Sequence, residues 1–164
     1  MRIVPQSVLI DGPVGPIETI VEAPAAPRGI ALVGHPHPLF GGTNTNKVAQ
    51  TLAKTMTQLG YVALRPSFRG VGQSAGTHDE GRGETDDQLA VLDWAKATYG
   101  DLPIILCGFS FGGICLSFSR GNNRRFITVL LSAFEAITTT PFLPPLSMKS
   151  NLSIRKPPFC FVSP

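Results

Sequence analysis

Short, nearly unbroken apolar runs alternate along this chain with stretches that carry their apolar residues on one stripe. Arg28 to Val33 (Arg-Gly-Ile-Ala-Leu-Val) is continuous enough to be a strand buried on both faces, and Tyr61 to Leu64 and Ile104 to Cys107 repeat that signature. Between them, Asn44 to Leu59 places Val48, Leu52, Met56 and Leu59 on one helical stripe, with Gly60 as the stop. Glu84 to Tyr99 does the same with Leu89, Leu92 and Ala95, and Gly100 ends it. Ahead of these, Ser7–Ile10 and Ile17–Glu22 read as a hairpin joined by Asp11-Gly12-Pro13. Strand, helix, strand, helix, strand predicts a parallel sheet with crossover helices, hence an α/β fold. Ile127 to Leu131 adds a possible strand, whereas nothing after Thr140 reads as a further strand–helix unit.

Sheets of this kind take ligands at the carboxyl ends of their strands. Three loops are expected there: Gly34–Thr43, the glycine-rich stretch from Pro66 to Gly83, and the turn after Cys107. That last turn, Gly108-Phe109-Ser110-Phe111-Gly112, carries the sharpest chemistry. A strand that breaks into a helix around a serine holds that serine in a strained backbone conformation, and glycines two places away on either side remove the Cβ atoms that would collide. The spacing predicts a nucleophile elbow with Ser110 at its tip. The plainer alternative is a glycine-rich turn whose serine caps a helix opened by Ile114, Leu116 and Phe118.

Length and composition fit one globular domain: 164 residues, 43% apolar and 15% charged. The net charge of +3 is unevenly spread, because after Gly113 the only acid is Glu135, against six basic residues. Those six are scattered without a nucleic-acid-binding motif, so no nucleic-acid partner is expected. Cys107, Cys115 and Cys160 are odd in number and lack metal-ligand spacing; Cys107 reads as a core residue. The first six residues have no apolar core of signal-peptide length and no run reaches a membrane span. The expectation is a cytoplasmic protein with reduced thiols and no membrane partner.

With the elbow, the His35-Pro36-His37-Pro38-Leu39-Phe40-Gly41-Gly42 loop and Arg65-Pro66-Ser67-Phe68-Arg69-Gly70-Val71-Gly72 in view, the chain resembles α/β-hydrolases. More narrowly, it is similar to small, lidless predicted hydrolases with a His-Pro-His-Pro-Leu loop and a Gly-Thr-His-Asp-Glu-Gly segment, here Gly76–Gly81, over roughly residues 6–113. The resemblance implies a serine hydrolase acting on an ester, thioester or amide of a small-molecule acyl substrate, through an acyl-enzyme on Ser110, with no organic cofactor and no metal. It also implies oxyanion donors from the backbone N–H of Phe111 and from the loop after the third strand, at Leu39 or Phe40, since Pro38 has no N–H.

The chain departs from that family after the elbow. The fold's order is serine, acid, histidine, yet Glu135 is the only carboxylate after Ser110 and no histidine follows it. Residues 114–164 hold six prolines and seven serines, and their charge and motif content change abruptly. The reading is an α/β-hydrolase region over residues 1–113 followed by an atypical segment, poorly ordered after about residue 140. Either a frame change near Gly113 or a divergent genuine C-terminus accounts for this. The expected sheet is therefore truncated, with an aggregation-prone strand near its edge, and the enzyme is impaired. The alternative function is a non-catalytic fragment that binds a ligand or partner.

The remaining polar residues have structural explanations beside functional ones. His35 and His37 have no carboxylate nearby in sequence, which argues against a joint metal site with His78, Asp79 or Glu80. They are placed at the site edge, shaping the loop beside the oxyanion hole, with a substitute base for Ser110 as the bolder role. Arg65 and Arg69 flank a tight turn and are expected to pair with Asp79 or Glu80 or else to meet a substrate carboxylate, Arg69 at the site edge. Gly70–Gly76 lacks dinucleotide-loop spacing. Glu84, Asp86 and Asp87 sit where a helix start favours acids.

Overall fold

The computed structural model describes residues 3–119, 126–131 and 161–163, the last few of these (117–119 and the two segments after) by backbone alone. Its sheet has the strands β1 (Gln6–Gly12), β2 (Gly15–Glu22), β3 (Gly29–Gly34), β4 (Tyr61–Pro66), β5 (Ile104–Phe109), β6 (Phe126–Leu131) and β7 (Phe161–Ser163). They lie in the order β1-β2-β4-β3-β5-β6-β7. The centre is parallel, β4 and β5 flanking β3 and β6 flanking β5. Antiparallel strands close both sides: the β1–β2 hairpin against β4, and β7 against β6.

Because β3 is followed by β4 on one side and then β5 on the other, the chain reverses direction around β3, and a crevice opens at that strand's carboxyl end. The sheet positions each face by simple alternation. Ile30 and Leu32 of β3 join Val62, Leu64 and Leu106 on the side covered by α2 (Arg82–Tyr99). Ala31 and Val33 join Ala63 and Cys107 on the side covered by α1 (Lys47–Gln58).

Several boundaries and faces differ from expectation. Helix α1 begins after Asn46, whose Oδ1 accepts the Val48 N–H at 2.9 Å, while Asn44 is buried ahead of it. Its inward face is Ala49, Ala53 and Met56; of the expected stripe Met56 is buried and Leu52 packs partly against the core, whereas Leu59 is exposed. The alanines face inward because α1 lies over a sheet face of mostly small side chains (Ala31, Val33, Ala63 and Cys107), which a helix approaches closely where its own side chains are small. Leu89, expected inside, is exposed on α2, where Val91, Leu92 and Ala95 fill the core. Strand β5 is not at the edge, since β6 pairs with it from Ile104 to Phe109. Apart from Phe161–Ser163, the stretch expected to be poorly ordered lies outside the described residues.

The arginines find partners the spacing did not suggest. Arg65 Nη2 lies 2.5 Å from Glu22 Oε1, and its Nη1 donates to the Asn44 carbonyl at 2.9 Å, bridging β4, β2 and the start of α1. Arg69 makes a two-pronged bond with Asp87, at 2.7 and 3.0 Å, and its guanidinium lies over Gly83. Burial raises the Asp87 carboxyl above its ordinary range, an effect Arg69 only partly offsets. Asp79 and Glu80 are therefore not the partners of either arginine. No described helix is long and apolar enough to cross a membrane.

Candidate functional site

Strand β5 ends at Phe109 and helix α3 (Phe111–Ser119) begins two residues later, so the turn between them is a single residue, Ser110. Ser110 is exposed and sits at φ 55°. A non-glycine residue in that left-handed region costs about 1 kcal/mol or more, so the surroundings must impose it. They do so by close approach. A Cβ on Gly108 would lie 2.6 Å from the Gly112 carbonyl carbon, and one on Gly112 would lie 2.5 Å from the His35 carbonyl oxygen. The first turn of α3 is thus pressed against the end of β3, and Ser110 is held above the crevice.

The loop after β3 supplies the opposite wall. His35 is wholly buried, its ring 4.3 Å from that of Phe68. Its Nε2 accepts the Phe68 N–H at 3.0 Å, and its Nδ1 lies 2.7 Å from the Pro36 carbonyl. That pairing requires the proton on Nδ1 and leaves no free lone pair, so His35 cannot serve Ser110 as a base. Burial lowers its pKa from 6.5 to about 4.

The sign of the resulting pH dependence follows. Between pH 6.5 and 4 the unfolded chain binds a proton here that the folded one does not. Stability therefore falls as pH falls through this window, by about 3 kcal/mol over its whole width. Urea melts of the wild type at pH 7 and pH 4.5 should show that loss, and His35→Gln, less stable at pH 7, should show a smaller one. Equal losses in the two proteins would remove His35 from the account.

His37, two residues on, is only partly buried. It caps a single 3-10 turn, Pro38–Phe40, with Nδ1 accepting the Leu39 N–H at 3.3 Å. Its ring packs 4.4 Å from Phe111, 4.8 Å from His78 and 5.1 Å from Phe40. Burial and the neighbouring His78 lower its pKa. His78 arrives from the Gly76–Gly81 segment, which Glu84 anchors: its fully buried carboxylate accepts the Asp79 and Gly81 N–H groups, both at 2.9 Å. His78 Nδ1 is 2.8 Å from Glu84 Oε1, an ion-pair distance with the ring out of line for a hydrogen bond.

The three loops thus meet around the Phe111 ring, which also stands edge-on to Phe68 at 5.4 Å. This clamp, and the role of Glu84 beneath it, were not visible in the sequence; the only hint was the Gly76–Gly81 segment itself. Glu84 stands in the first turn of α2, as read, and its carboxylate also ties down the loop before that helix.

Most amides between Pro36 and Gly42, in the loop after β3, already have acceptors. Leu39 N–H is committed to His37 Nδ1, and Phe40 N–H to the His37 carbonyl at 3.1 Å. Gly41 and Gly42 also donate within the loop. Pro36 and Pro38 have no N–H, so between Pro36 and Gly42 the amide of His37 is the one without a described acceptor. Phe111 is the first residue of α3, where a helix leaves its amides without intrahelical acceptors. No group of three or more His, Cys, Asp or Glu able to hold a metal occurs among the described residues. Burial pushes the Cys107 and Cys115 thiols up to about 12, which keeps them protonated and inert.

Comparison with known proteins places this geometry. Residues 36–118 match the model of the alpha/beta hydrolase fold family. An uncharacterised protein of Rickettsia prowazekii is 42% identical over 107 residues, which is 64% of this chain and 45% of that protein. The lysophosphatidylserine lipase of Macaca fascicularis is 40% identical over 80 residues, 48% of this chain and 20% of the lipase. Among solved structures, an α/β serine hydrolase without a lid from Xanthomonas campestris superposes with a TM-score of 0.68 at 36% identity, covering 73% of this chain and 57% of that one. The chain therefore spans about half the length of these bacterial relatives, and less of the lipase.

Proposed function

Since the chain belongs to the α/β-hydrolase fold family, we propose that it is a serine hydrolase that cleaves an ester, thioester or amide through an acyl-enzyme on Ser110. The observation that carries this reading is the positive φ of Ser110 (55°), held at the first turn of a helix by glycines on both sides. A serine that merely capped a helix would have no need of that strain. In the proposed reaction the Ser110 Oγ bonds to the substrate carbonyl carbon while its proton passes to a base. The carbonyl π electrons move onto oxygen, and the amides of Phe111 and His37 receive the resulting oxyanion. Collapse re-forms the carbonyl and breaks the bond to the leaving group, which departs with the proton. Water then cleaves the acyl-enzyme and restores the hydroxyl.

A second reading rests on the sequence itself: His35, His37 and His78 are the only histidines and all precede Ser110. A chain with the nucleophile and oxyanion donors but no histidine in the family's usual place binds acyl compounds without turning them over. Mixing the protein with p-nitrophenyl acetate separates the two. A burst of p-nitrophenol equal to the protein concentration supports the acyl-enzyme; a folded protein with neither burst nor release above buffer supports the binding module.

A further inference from the structure

We propose that the Leu39–Phe40 tip and Ile114 of α3 form a seat for the apolar chain of the substrate's acyl group; this rests on the serine-hydrolase reading and names the kind of substrate it prefers. Among the described residues, few large apolar side chains are strongly exposed. Phe40 at 86% is the most exposed of them and Leu39 at 71% the next. None of the three residues of their 3-10 turn is buried, so the fold does not need these side chains for its core. Ile114, 56% exposed, stands in the first turn of α3, four residues past the nucleophile.

The position of the tip makes it part of the site. Strands β3 and β5 are adjacent and in register at Gly34 and Gly108, so the loop and the elbow leave the sheet side by side. The Phe40 ring touches the His37 ring at 5.1 Å, and His37 touches Phe111 at 4.4 Å. An aromatic path thus runs from the exposed tip to the residue next to Ser110. The loop from Gly34 to Asn44 has no Lys, Arg, Asp or Glu. An ionic acyl group finds no partner there, whereas an alkyl chain leaving the carbonyl at Ser110 would cover Phe40 and Leu39 from water. The absence of charge and the continuity with the nucleophile favour a chain of the substrate over a separate protein partner.

The test compares ethyl- and decyl-fluorophosphonate, which carry their alkyl chain where an acyl chain would lie. Both are used with the full chain below the micellar concentration of the longer probe. Burying even a few methylenes should make the decyl probe label Ser110 on the order of tenfold faster or more. Leu39→Ser/Phe40→Ser, which keeps both backbone amides, should bring the ratio of rates close to one. Equal rates for the two probes on the wild type overturn the seat while leaving the hydrolase reading intact. If neither probe labels a folded protein, the hydrolase reading fails and takes the seat with it. Equal rates combined with Phe40-dependent sedimentation on phosphatidylcholine vesicles would assign the tip to a lipid surface. A dimer lost in Phe40→Ser would assign it to a second copy. An unchanged preference in the double variant also overturns the proposal.

Discussion

Ser110→Ala abolishes the p-nitrophenol burst and lowers any acyl transfer by at least about 10⁴-fold, because the groups of such a site act as a unit around the nucleophile. The fold should survive the change, since Ser110 is exposed and its side chain fills no part of the core. A second substitution at the same position separates chemistry from strain. At φ 55° glycine fits better than serine, so Ser110→Gly should be more stable than the wild type by up to about 1 kcal/mol while equally unreactive. A rise in melting temperature with complete loss of the burst would show that the chain gives up stability to present this hydroxyl. A burst that persists in Ser110→Ala would place the nucleophile elsewhere.

Gly112→Ala should be the most damaging small change in the fold. The added Cβ would come within 2.5 Å of the Gly34 and His35 carbonyl oxygens, and these are backbone atoms at the end of a central strand. They cannot swing aside as a side chain could. Either α3 lifts off β3 or the loop carrying His35 moves, and both disturb Ser110. The expected cost is about 3 kcal/mol or more, a fall in melting temperature of roughly 6–12 °C for a chain of this size. Reactivity should drop further than stability explains, because a shift of about 1 Å at the reacting atom is worth up to 10²-fold. Gly41→Ala is the matched control: it has a positive φ of 75° but nothing within 4 Å of the added Cβ. It should lose only about 1 kcal/mol. Gly112 itself has no positive φ, so similar melting temperatures for the two variants would mean that the close approach at position 112 relaxes at little cost.

The parts legible in the sequence were those written in local pattern. Continuous apolar runs marked β3, β4 and β5, and the glycine spacing marked the elbow. What escaped notice depends on contacts between distant segments. Nothing local says that Ala49 and Ala53, rather than the larger Val48 and Leu59, face the sheet; that is decided by how closely α1 can approach it. Nor does spacing reveal that Arg69 reaches Asp87 across the start of α2, or that Arg65 reaches back to Glu22. The choice of a loop amide for the oxyanion depends on contacts of the same kind. Counting residues shows which amides exist, but the 3-10 turn decides which are already bonded.

The central claim is that the fold activates Ser110. Its most direct test is to treat the full chain with a fluorophosphonate, digest it and locate the adduct by mass spectrometry. The account predicts a single phosphonylated peptide carrying the Gly108–Gly112 turn, modified at Ser110 and unmodified when the protein is unfolded first. A protein that melts cooperatively yet carries no adduct at Ser110, or carries the same adduct when unfolded, would contradict it.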